Sequence, residues 1–125
     1  MNGRPSIPPG ITGELLLDVF DLPISFHRCL VPITGGVTAA LMLSQAIWTS
    51  EALDPEVGGW FCRSQEEWTE ETGLSRWEQE TARRALRTGG FLEERRAGMP
   101  AKLWFRVRPE AVGRALQAHA NPVRR

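Results

Sequence analysis

Two helix-start signatures stand close together in the middle of this chain, and they constrain its fold more than any other feature. Ser64-Gln65-Glu66-Glu67 and Ser75-Arg76-Trp77-Glu78 both carry serine followed three positions later by glutamate. In such a capping box the serine oxygen accepts from an early backbone N–H and the glutamate reaches back to the serine N–H. Between them Gly73 is the residue expected where a helix ends in a left-handed turn. A short helix therefore starts after Ser64 and stops at Gly73. A second runs to about Thr88 and stops at Gly89-Gly90. Trp68, Leu74, Ala82 and Leu86 are the natural packing set. A short helix, a glycine turn and a capped second helix make the layout of a helix-turn-helix, although a plain αα-hairpin in a bundle starts the same way.

The residues that follow decide against the bundle. Phe91 to Arg96 and Ala101 to Arg108 flank Ala97-Gly98-Met99-Pro100. The second run alternates: Ala101, Leu103, Phe105 and Val107 share one face, and Lys102, Trp104, Arg106 and Arg108 share the other. That pattern is a β-hairpin with one apolar side. A helix-turn-helix followed by such a hairpin is a winged helix, so the expected class is α+β, mainly α with a β-hairpin wing.

Upstream, Val37 to about Leu53 reads as a central amphipathic helix. Val37, Ala40, Leu41, Ser44, Ile47 and Trp48 form an apolar face that Ala39, Leu43 and Ala46 widen. Trp60-Phe61-Cys62 is a short strand candidate. Ile24 to Val31 is either a strand or irregular chain on the core, broken by Pro32 and Gly35-Gly36. Pro109-Glu110 suits a helix start, packed by Ala111, Val112, Ala115 and Leu116. The expected organisation is an arm over 1–23 with the capacity to dimerise, a winged helix over 24–108, and a helix with a basic tail over 109–125.

Composition narrows the function classes. The 125 residues include 15 basic and 15 acidic groups, so bulk positive charge is no argument for nucleic acid. The charge is uneven, however: 76–108 holds nine basic residues against four acidic, whereas 1–59 holds two against six. A polyanion would be drawn to the first segment, although a solvated mixed surface explains the count equally well. Cys29 and Cys62 form no CxxC pair and have no metal-ligand spacing with His27 and His119. Both read as buried thiols, and a reducing cytoplasm is the simplest compartment. There is no apolar run of membrane-span length. Glu66, Glu67, Glu70 and Glu71 read as a solvated helix face near its positive end. Gly35-Gly36 before a helix is a weak phosphate-loop signal without a P-loop lysine. There is no catalytic constellation, so no enzyme and no cofactor are expected.

From about Ile24 to Val107 the chain resembles the N-terminal winged-helix module of phage and plasmid replication-initiation proteins, the group of DnaD-like and phage replisome-organiser proteins. The stretches that carry the resemblance are Thr34 to Trp48, Gly59-Trp60-Phe61, Glu67 to Ser75, Ala82 to Leu86 and Gly98 to Val107. No single stretch is specific; their order and spacing carry it. The resemblance implies a winged helix, self-association through flanking elements, and binding of origin DNA or replication partners. Larger members add a helical domain or basic tail that loads a helicase. These 125 residues hold no counterpart, so the expectation is a small DNA- or partner-binding module.

In helix-turn-helix docking the second helix lies in the major groove and its N-terminal residues reach base edges. The candidates here are Arg76, Gln79, Glu80, Arg83, Arg84 and Arg87, since arginine reads guanine and glutamine reads adenine. Arg95, Arg96 and Lys102 near the hairpin tip would hold phosphate. On this reading, reversing Arg83 and Arg87 to glutamate abolishes binding without unfolding the chain. The alternative places these arginines on a solvent face, paired with glutamates such as Glu80. Trp104 on the polar side of the hairpin has three readings: packed beneath the final helix, buried in a dimer interface, or stacked on a nucleotide.

The leading expectation is thus a cytoplasmic double-stranded DNA-binding winged helix of phage or plasmid replication or its transcriptional control, with the capacity to form a homodimer. The other is an adaptor on the same fold, in which Leu15, Leu16, Leu17, Val19 and Phe20 contact a replication or host protein. Fold alone does not choose between them.

Overall fold

The computed structural model of this chain describes residues 23–120. Residues 1–22, all of the expected arm but Pro23 and including its leucine-rich segment, and the tail residues 121–125 lie outside the described residues. The chain first runs irregularly from Pro23, makes a 3-10 turn at Arg28–Leu30 and enters a short helix, α1 (Val31–Thr34). The segment is irregular chain and a 3-10 turn rather than a strand, and it lies on the surface, with Leu30 alone of residues 23–30 buried. The His27 N–H donates to Ser44 Oγ at 3.0 Å, which moors the incoming chain on the next helix. Pro32 does not break the structure here. It sits in the first turn of α1, where its missing N–H has no partner to lose.

The long helix α2 (Val37–Glu51) is central, packing against α1 and four later elements. Its buried side is Ala39, Ala40, Met42, Leu43 and Ala46, whereas Val37 and Trp48 are 61% and 59% exposed. The expected apolar face was therefore rotated. Alanines at 39, 40 and 46 let neighbouring elements approach closely, and burial follows that approach rather than side-chain size.

After β1 (Trp60–Cys62) come α3 (Gln65–Thr72) and α4 (Arg76–Thr88). Both capping boxes form in full, with the Glu67 N–H donating to Ser64 Oγ and the Glu78 N–H to Ser75 Oγ. The backbone N–H of Ser64 holds the Glu67 carboxyl below its usual pKa, and that of Ser75 does the same for Glu78. Gly73 turns the chain at φ +77, a left-handed conformation open to glycine at little cost.

The hairpin strands β2 (Leu92–Ala97) and β3 (Lys102–Val107) complete a three-stranded antiparallel sheet of order β1-β3-β2. Phe61 pairs with Phe105, and Leu92 with Val107, on the inner face. There Trp68 meets Phe105 edge-on, with ring centroids 5.4 Å apart, and Phe61 stacks on Phe105 at 5.9 Å. This aromatic triplet joins the sheet to the helix-turn-helix. Trp68, Leu74, Ala82 and Leu86 are all buried, as their spacing implies. The last described helix, α5 (Pro109–Ala120), buries Val112 and packs against α1. Helix α2, strand β1, helices α3 and α4, then the hairpin, with β3 central in the sheet, is the winged-helix order. The class is α+β.

Two cysteine expectations fail. Cys29 is exposed, because the chain before α1 lies on the surface. Cys62 is half-buried rather than in the core: Phe61 takes the inward position of β1 and sends its neighbours to the outer face.

Candidate nucleic-acid interface

The second helix of the motif, α4, is mounted by its own inner side. Gln79 is 1% exposed. Its amide donates to Gln65 O, Thr69 Oγ1 and Leu74 O, at 3.1, 2.9 and 3.1 Å. It thus staples α3, the turn and α4 together. Gln79 is not available to read a base, which corrects the assignment made from its place near the helix start. Helical geometry explains the error: positions 79, 82 and 86 lie on one side of the rod, and Ala82 and Leu86 carry that side into the core.

Arg83 lies at the border of the same side. Its Nε and Nη2 grip the two carboxylate oxygens of Glu94 at 2.7 and 2.9 Å. Arg87, one turn on, adds a third bond to Glu94 at 2.9 Å. The side chains of Arg83 and Glu94 are only 15% and 10% exposed. Burial pushes the Glu94 carboxyl up, but the hydrogen bonds and charge of Arg83, seconded by Arg87, outweigh it and hold the pKa below the usual value. Arg83 is in turn held more firmly protonated by its bond to Glu94. Arg83 is therefore a bracket between α4 and the wing rather than a reader. Reversing it to glutamate would set two carboxylates against each other in a half-buried site, so the substitution would not leave the fold untouched. The glutamate partner is Glu94, not Glu80. Glu80 instead stands 3.6 Å from Arg76 in an exposed pair.

The side of α4 turned away from the core carries Trp77, Thr81, Arg84 and Thr88, all exposed. Trp77 is 74% exposed in the first turn. Arg84 makes no ion pair with any described residue. Arg76 on the flank is tied only by its long contact to Glu80, and Arg87 keeps part of its guanidinium in solvent. Of the helix residues singled out from sequence, the structure thus presents Arg76, Arg84 and part of Arg87 to solvent, and withdraws Gln79 and Arg83. Trp77 was overlooked. Its signal was the spacing 77, 81, 84 and 88, which is a helical stripe opposite the apolar one.

The wing divides its charges between two faces. On the outer face Trp60 has the Arg95 guanidinium 4.4 Å from its ring centre and Arg106 at 4.8 Å. Glu93 accepts from Arg106 and Arg108, and these bonds hold its pKa low. Trp104 stands on this face with Cys62 and Arg95 as cross-strand partners, while α5 packs against α1. The Trp104 indole N–H is buried without an acceptor among the described residues. Nearer the tip, Arg96 and Lys102 are exposed and make no ion pair with described residues. Among those residues no group of His, Cys, Asp and Glu is arranged to hold a metal ion, and no single helix is long and apolar enough to cross a membrane.

The fold and the surface together define a winged helix with a braced second helix and a basic hairpin. No protein-family model matches the chain, and no curated protein matches it. Among solved structures, the N-terminal domain of a DNA binding protein aligns over 92% of this chain and 97% of its own, at 16% identity and a TM-score of 0.45. That likeness is too low to argue from. The winged-helix assignment rests on the order of elements and strands described above.

Proposed function

We propose that this protein binds duplex DNA through the outer side of α4 and the wing. The observation that carries the reading is the division of cations. Arg83 is spent on bracing α4 to β2, and Arg106 and Arg108 on holding Glu93, whereas Arg84, Arg96 and Lys102 project from the fold without a carboxylate partner among the described residues. In a docked complex Trp77, Thr81 and Arg84 would face the major groove, with Arg84 able to reach a guanine edge. Arg96 and Lys102 would meet phosphates. The resemblance to replication-initiation modules suggests phage or plasmid replication, or its transcriptional control, as the setting, in the cytoplasm and with a homodimer as the working unit.

An adaptor role on the same fold is favoured by one observation: Trp77 and Trp48 are both more than half exposed, and tryptophan is enriched where proteins meet. Titration of a labelled duplex at increasing salt separates the two. A DNA binder loses affinity as a straight line in log salt, with a slope set by the phosphates neutralised. Salt-insensitive binding, or none, leaves the adaptor.

A further inference from the structure

We propose that the tip of the wing is a minor-groove wedge, in which Met99 enters between stacked base pairs and bends the duplex. The inference rests on the DNA-binding reading above and specifies the kind of duplex preferred. The connection between β2 and β3 is built from Gly98, Met99, Pro100 and Ala101, with Ala97 at the strand end. Met99 is the one long side chain among them and is 99% exposed. Gly98 sits at φ +96, where a side chain would be strained, so the tip stays slender. A minor groove about 6 Å wide admits such a tip but not one with long chains on both sides.

The hairpin's own charge from Arg95 onward has one sign, while the Glu67 carboxylate of α3 lies near enough to feel the charge of Lys102. From Arg95 to Arg108 the sequence has five cations and no acid. Lys102 lies opposite Ala97 in the ladder, and Arg96 precedes Ala97, so a cation shoulders the tip on each strand. Phosphates line both sides of a minor groove at the same level. A wedge also needs a stiff mount, and the Arg83–Glu94–Arg87 bracket pins the base of β2 to α4. The methionine side chain is flexible and polarizable, suited to lying against base rings. Minor-groove proteins unstack base steps with apolar side chains of this kind. The duplex favoured would be one whose step opens at low cost, such as a TA step or a mismatch.

The test measures three signals on the full chain: anisotropy of a labelled duplex, fluorescence of 2-aminopurine beside a central TA step, and energy transfer between the duplex ends. The wild type should bind, brighten the 2-aminopurine and draw the ends together. It should also prefer a central mismatch by roughly tenfold. Met99→Ala should lose the brightening, the bend and the mismatch preference while keeping the salt slope. It should keep its thermal midpoint too, because the side chain touches solvent. The double variant Arg96→Ala with Lys102→Ala should lose affinity yet still brighten when saturated. Binding by the wild type without brightening or bending overturns the wedge and leaves DNA binding standing, as does retention of both signals by Met99→Ala. Absence of salt-sensitive binding to any duplex overturns both.

Discussion

The base and the tip of the wing are built from similar residues and do opposite things. At the base, Glu94 gathers two arginines from α4 on the inner side of β2, and Glu93 gathers Arg106 and Arg108 on the outer side. Every one of these charges is answered within the protein. At the tip, Arg96 and Lys102 make no ion pair with a described residue, and Met99 is exposed. Arginines in one short segment are thus divided between structural and available ones by the alternation of β2. The residue after Glu93 turns inward to α4, where a carboxylate is sheltered and bidentate pairing is strong. Two residues further, the strand has outrun the helix and its side chains meet water.

The largest effect should come from breaking the base. Glu94→Ala leaves Arg83 half-buried with no partner, and removal of one member of such a pair should cost about 2–3 kcal/mol of stability in denaturant titration. It should also loosen the wing against α4, seen as faster amide exchange in β2. Breaking the tip should affect function alone. Arg96→Glu with Lys102→Glu should weaken duplex binding roughly a hundredfold while shifting stability by no more than about 0.5 kcal/mol.

Smaller effects sharpen the same contrast. Gly73→Ala forces a side chain into the left-handed turn at φ +77 and should cost about 1 kcal/mol. Glu93→Ala removes a partly exposed pair and should cost about 0.5 kcal/mol, after allowance for solvent screening. The difference between Glu93→Ala and Glu94→Ala measures what the inward position adds. Acid should show it as well. The folded pKa of Glu94 lies below the ordinary 4.5. Its stabilising contribution is therefore complete above pH 4.5 and lost as pH falls through the lower folded value. Glu94→Ala should flatten the acid limb of the stability curve in that window.

Much of this architecture was legible from residue spacing. Both capping boxes, the Gly73 turn, the hairpin and its alternation are local signals, and local signals survive folding when packing agrees with them. The packing set Trp68, Leu74, Ala82 and Leu86 followed from the same periodicity. The same periodicity puts Gln79 on the inward side with Ala82 and Leu86; what was not legible was which groups would satisfy its amide there. Gln79 is a polar residue at a core position, and only the surrounding acceptors, Gln65 O, Thr69 Oγ1 and Leu74 O, show why it is tolerated there. Arg83 paired with a residue eleven positions away across an element boundary, a contact set by the approach of β2 to α4. The exposed tryptophan at 77 was masked by its neighbours in the capping box. Pro32 inside α1 was misjudged because a proline in a first turn and one that ends a segment look alike without the helix that follows.

The central claim is that the unpaired cations of the wing tip and of the outer side of α4 neutralise DNA phosphates, while the braced ones do not. The most direct measurement is the salt slope of duplex binding for the wild type and for Arg84→Ala, Arg96→Ala and Lys102→Ala, each scored beside Arg106→Ala. Each of the first three should reduce the slope by about 0.9 if its side chain contacts a phosphate, and Arg106→Ala should leave it unchanged. Equal slopes across all four variants, or a loss confined to Arg106→Ala, would contradict the account.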